Sequence, residues 1–121
     1  MDNGLLATDA KSLDALTYDY FKGRIQLRRQ ISKEILSNTG VWADVAFLHQ
    51  DRSPDAVGWK PAKITIARFK RVNGIWRKQS HFNVNDARRA DRVVCVLSRW
   101  RSMMETVGAL EPEPELELEQ E

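Results

Sequence analysis

The sequence predicts an α+β domain. It reads as an antiparallel sheet of three to four strands around a central hairpin, packed by a C-terminal amphipathic helix, with a helical segment near the N-terminus. Three observations carry this. Two strand-like runs flank Asn73-Gly74. The segment from Val41 alternates between an apolar and a mixed face. An apolar stripe at spacings of three and four runs from Ala90 to Val107.

Taken in order, residues 1–11 carry few apolar groups and read as a loose N-terminus before a single domain, 12–110. Leu13, Leu16 and Tyr20 recur at helical spacing, which predicts a short helix over Ser12–Phe21. Gly23 interrupts it. In 24–38, Leu27, Ile31 and Ile35 step by four. Good helix formers and the Asn38-Thr39-Gly40 stop favour a helix there, although Ile25, Leu27 and Ile31 also fit a two-residue period. Val41, Ala43, Val45 and Phe47 then alternate with Trp42, Asp44, Ala46 and Leu48, a strand pattern. Turn residues fill 50–62 around one aromatic, Trp59.

KITIARFKRV and IWRKQSHFNV, joined by Asn73-Gly74, form the hairpin, because both turn residues tolerate positive φ in a type I′ turn. Asn85-Asp86 cap the last helix, since their carbonyl and carboxylate oxygens suit its unpaired N–H groups. Its stripe is Ala90, Val93, Val94, Leu97, Trp100, Met104 and Val107, and Gly108 ends it. EPEPELELEQE, residues 111–121, alternates acid with Pro or Leu and is read as a disordered acidic tail.

The formal net charge of +2 is a difference between two opposed parts. Residues 1–110 carry all nineteen Lys and Arg against eleven acids, and the tail carries six Glu. Within 60–101, twelve cations face only Asp86 and Asp91. A single cysteine, Cys95, excludes an intramolecular disulfide. No apolar run is long enough to span a membrane, and the N-terminus has no secretory pattern. The expected setting is the cytoplasm of a bacterial cell or phage-infected host, with the nucleoid as a further location.

A two-residue turn sets the expected hairpin register: Val72 with Ile75, Arg71 with Trp76, Lys70 with Arg77, Arg68 with Gln79 and Ile66 with His81. One face then holds Thr65, Ala67, Phe69, Arg71, Trp76, Lys78, Ser80 and Phe82. The other sets Lys70 opposite Arg77, with Arg68 beside them. Opposed like charges destabilise a sheet, and an anionic ligand would relieve them. A one-residue bulge would swap part of the faces.

Cations interleaved with aromatics on a sheet suit single-stranded nucleic acid, through phosphate neutralisation and base stacking. Arg68, Lys70 and Arg77 are the expected phosphate contacts, supported by Arg71 and Lys78. Trp76 and Phe69 are the expected stacking rings if their face is exposed, and core residues otherwise. The acidic tail either competes for the basic surface, recruits a protein partner, or merely solubilises.

The run from Val41 to Val107, strand, strand–Asn-Gly–strand, helix, resembles the sheet-plus-helix single-stranded-DNA-binding proteins of the transcriptional-coactivator and Whirly class. That resemblance implies a dimer that binds strands across a curved sheet, with its first strand drawn from 24–36. The tail is similar to the acidic tails of bacterial and phage single-strand-binding proteins, but it ends in Glu119-Gln120-Glu121 rather than an apolar residue. An oligonucleotide-binding barrel is the alternative fold; it needs five strands.

No enzyme constellation stands out. His49, His81 and Cys95 show no metal-ligand or nucleophile spacing, and no Gly-rich phosphate loop occurs. Cys95, between Val94 and Val96, reads as a small buried hydrophobe. The expectation is a non-enzymatic, largely sequence-independent single-strand-binding protein, for DNA ahead of RNA, without cofactor or metal. The alternative is a phage-type or mobile-element protein-interaction module.

Overall fold

The computed structural model describes residues 9–55 and 57–107. Five strands are followed by one helix: β1 (Tyr20–Lys22), β2 (Ile25–Asn38), β3 (Trp42–Asp51), β4 (Lys63–Val72), β5 (Ile75–Val84) and α1 (Ala87–Val107). The strands form one antiparallel meander in sequence order. The chain divides into two compact units between Ala87 and Arg88, the sheet unit and the helix unit. The α+β class therefore holds, with five strands rather than three or four. The tail, residues 111–121, and Gly108 lie outside the described residues.

The N-terminal half corrects the sequence reading. Ser12–Phe21 is not a helix. It makes one turn, in which the Ala15 and Leu16 amides donate to the Ser12 and Leu13 carbonyls, and then runs into β1. Residues 25–38 are a strand, paired with β3 from Arg28↔Asp51 to Asn38↔Ala43. Its register shifts twice, between Gln30 and Ser32 and between Ile35 and Ser37. Each shift adds one unpaired residue, Ile31 and Leu36. The residues facing one side are then Gln30, Lys33, Ile35 and Asn38, at spacings of three, two and three. Bulges break the two-residue period, and Ile31, one of the residues that step by four, is itself a bulge residue.

The strand reading of β3 holds. Ala43, Val45, Phe47 and His49 are buried and their neighbours half-buried. With Ala67, Phe69 and Trp76 they form one covered face of the sheet. The cover is the N-terminal segment, through Leu13, Leu16 and Tyr18. Tyr18 stacks on Phe47 with ring centroids 4.8 Å apart. Lys33 anchors the segment: its ammonium donates to the carbonyls of Leu13, Asp14 and Leu16 at 2.8, 2.9 and 2.9 Å. Ala10 exchanges two backbone hydrogen bonds with Trp76, which pairs part of the β5 edge.

The hairpin turn is as expected. Asn73 and Gly74 adopt φ of 53° and 78°, and Val72↔Ile75, Arg71↔Trp76 and Lys70↔Arg77 pair as predicted. Beyond them a bulge leaves Gln79 unpaired. Arg68 then meets Ser80 rather than Gln79, and Ile66 meets Phe82 rather than His81. Phe82 and Ser80 thereby move to the face of Arg68 and Lys70, and His81 moves to the covered face.

In α1 no residue is buried. The core of the sheet unit is closed by Leu13, Leu16 and Tyr18 of its own N-terminal segment. Cys95 is exposed, not buried. No described helix is long and apolar enough to cross a membrane.

Candidate nucleic-acid interface

Alternation along β3 and β4 divides the charged groups between the two faces. Even-numbered residues of both strands point to the open face. There Trp42 pairs with Lys70, and Lys70 with Arg77, in one row across three strands. The next row is Asp44, Arg68 and Ser80. The Arg68 guanidinium lies 4.8 Å from the centre of the Trp42 ring, and the Lys70 ammonium 5.2 Å. Two cations over one indole are held by its negative face.

The cations here are only partly neutralised. Asp44 is 3.8 Å from Arg68, with both side chains well exposed. Asp9 is 3.6 Å from Arg77, again at the surface. Such pairs contribute little and yield readily to a competing anion. Arg68 and Arg77 are exposed and Lys70 half-buried. The Lys70–Arg77 opposition inferred from the turn is thus present in the fold, beside a half-exposed indole. The next rows are apolar: Ala46, Ile66 and Phe82, then Leu48, Ile64 and Val84. Phe82 is 57% exposed. A shallow hollow of about 240 Å³ lies between Ala46, Leu48 and Ile64 on one side and Ser32 and Glu34 on the other.

The remaining expected site residues fall elsewhere. Phe69 is fully buried and Trp76 is 4% exposed, both under the N-terminal segment. Neither ring can stack on a base in this fold. Lys78 also faces the covered side, opposite Phe69. Its ammonium is 2.6 Å from His81 Nδ1. Burial, only partly countered by Asp9, lowers the Lys78 pKa. Burial and the Lys78 charge likewise lower that of His81. Arg71 is exposed at the hairpin end and lines a groove of about 380 Å³ with Lys11, Asp14, Asn38 and Trp76. Arg68, Lys70 and Arg77 are therefore brought together, and Arg71, Lys78, Phe69 and Trp76 are not part of that row.

Trp42 is the ring that residue patterns missed. Its signal was present in the alternation of β3, which set it on the mixed face with Asp44. Only the pairing of β3 with β4 shows which cations share that face.

The covered face ends in a polar cluster. Asp51 accepts from Arg28 at 2.8 Å and pairs with Lys63 at 3.0 Å. These two partners outweigh burial and hold the Asp51 carboxyl below its usual range. His49 Nε2 lies 2.8 Å from Thr65 Oγ1, whose hydroxyl donates to Asn83. The imidazole must therefore donate through Nε2. Burial, assisted by the Arg28 charge, lowers its pKa to about 4. Arg28 Nη1 and His49 Nδ1 are buried without hydrogen-bond partners. Within the cluster Arg28, His49 and Thr65 are buried, while Asp51 and Lys63 are partly exposed. Among the described residues, no group of three or more His, Cys, Asp or Glu is placed to hold a metal ion.

Comparison with protein-family models, curated proteins and solved structures finds no match for this chain.

Proposed function

We propose that the protein binds single-stranded nucleic acid, DNA in the first instance, across the open face of the sheet, without enzymatic chemistry. One observation carries this reading: Trp42 sits under Arg68 and Lys70, with Arg77 opposite Lys70, on a face that the chain's own core does not use. Phosphates relieve the opposed cations, and bases find the indole and the exposed Phe82 ring. Nothing in this arrangement reads base edges, so binding is largely independent of sequence. The acidic tail, by its charge alone, competes for the same cations or recruits a basic partner.

The test is fluorescence anisotropy of a labelled dT12 across a salt series, with the full chain and with a chain ending at Leu110. Binding is expected at micromolar concentration or better. It should weaken steeply with salt and tighten when the tail is removed. Absence of binding by both chains at about 50 mM salt sinks the reading.

A second copy of the chain completes the proposal. Ala90, Val93, Leu97, Trp100, Met104 and Val107 alternate spacings of three and four over the length of α1, the pattern of a two-helix seam. Val94, Leu97, Trp100, Met103, Met104 and Val107 are each more than half exposed. Light scattering on the full chain is expected to give a dimer, and Leu97→Glu with Met104→Glu a monomer. A monomeric wild type, or one that associates only with lipid vesicles, rejects the second copy.

A further inference from the structure

The open face carries a second cation–aromatic cluster at its far end. After β3 the chain turns back, and Trp59 bridges to Arg52. The Arg52 guanidinium is 4.0 Å from the centre of the Trp59 ring, and that of Arg29, on β2, is 4.4 Å away. Arg29 faces Gln50, an open-face position of β3. Both guanidiniums are held by neutral acceptors: Arg29 Nε donates to Gln50 Oε1 at 2.9 Å, and Arg52 Nε to the Gln26 carbonyl at 3.0 Å. Neither of these bonds cancels the positive charge. The two arginines and the ring are half-buried, so they are positioned but reachable.

The two clusters bracket β3. Trp42 is at its start, and Gln50 with Arg52 at and just past its end. Eight residues of strand separate Trp42 from Gln50, about 26 Å at an ordinary strand rise. Between them lie the apolar rows of Ala46, Leu48, Ile64 and Ile66, with Phe82 at the side. Charge at both ends and an apolar floor between match a strand whose phosphates are gripped twice and whose bases lie over the middle.

We propose that Arg29, Arg52 and Trp59 form a second contact point for the same nucleic-acid strand, so that the open face is one bipartite site spanning about eight nucleotides at a stacked spacing of roughly 3.4 Å. This rests on the reading of the open face as a nucleic-acid interface. Two weak contacts on one strand act together, because binding at the first raises the effective concentration at the second. An oligonucleotide too short to reach both gains nothing.

The experiment compares dT4 with dT12 on wild type and on the double variant Arg29→Gln, Arg52→Gln. Wild type is expected to bind dT12 more than tenfold tighter than dT4. The variant should lose about tenfold on dT12 and no more than about twofold on dT4, and its salt slope should fall by about 1.4, the share of two cations on a single strand. Arg29→Lys, Arg52→Lys keeps both charges and should hold dT12 within about threefold of wild type. Should the Gln variant fail to fold, wild type answers by photo-cross-linking. A dT12 with iodouracil at one end should cross-link to Trp42, and with iodouracil at the other end to Trp59. Equal dT12 affinity for wild type and a folded Gln variant, or cross-links to Trp42 from every position, overturns the second contact while leaving the first intact. Failure of wild type to bind dT12 removes the underlying reading itself.

Discussion

Replacing Lys33 by Met tests what closes the core. Lys33 rises from the covered face of β2, opposite Phe47, and its ammonium ties down three carbonyls of the N-terminal turn. Methionine keeps most of the stem and removes the charge and the donors. A hydrogen bond to a charged group contributes about 1.5–3 kcal/mol. The three share one ammonium, and the Asp14 carbonyl is exposed enough to turn to water. The expected loss is therefore roughly 3–4 kcal/mol, less than three independent bonds would give. For a domain of this size that lowers Tm by about 15–25 °C. Urea unfolding followed by tryptophan fluorescence measures it. Hydrogen exchange at the Ala10 and Trp76 amides, which bond to each other's carbonyls, reports whether the segment lifts first. A loss below about 1 kcal/mol, with unchanged exchange at both amides, would refute the idea that this ammonium anchors the cover.

Three further outcomes follow from the same geometry. His49, with a folded pKa of about 4, binds fewer protons than in the unfolded chain between about pH 4 and 6.5. Stability should fall by up to about 3 kcal/mol as pH drops through that window, and His49→Gln should flatten the slope. Asp51 follows at lower pH: its depressed folded pKa gives stability that is present above the ordinary carboxylate pKa and lost as the group protonates, read in the same urea series. Trp42→Ala and Trp76→Ala should separate binding from folding. The first is expected to weaken dT12 by about tenfold or more at nearly unchanged Tm; the second should cost about 3–5 kcal/mol of stability and leave the folded fraction's affinity intact.

The hairpin was legible because its determinants are local. Asn73 and Gly74 alone supply the two positive φ values, and the turn then dictates Lys70 opposite Arg77. The helix at Ala87–Val107 was legible for a similar reason, as a long stripe of one period. β2 was not. Its hydrophobic spacing carries two bulges, and a bulge is visible only against the strand it fails to match. The bulge at Gln79 is the same case: it exchanged Phe82 for His81 on the open face, and nothing in IWRKQSHFNV marks where the extra residue falls.

Composition and order by themselves determined the charge division between body and tail, the turn at Asn73-Gly74, the alternation of β3 and the stripe of α1. Each depends on residues a few positions apart, whose relation is set by backbone geometry. The tertiary structure decided which face is covered and which is free. That choice buried Phe69 and Trp76 beneath Leu13, Leu16 and Tyr18, while strand pairing placed Trp42 against two cations of β4 and Trp59 against Arg29 of β2 and Arg52 of its own loop. The physical reason is that a strand has two faces of equal local standing. Only a distant segment, here one held by Lys33 from seventeen to twenty residues away, determines which of them meets water.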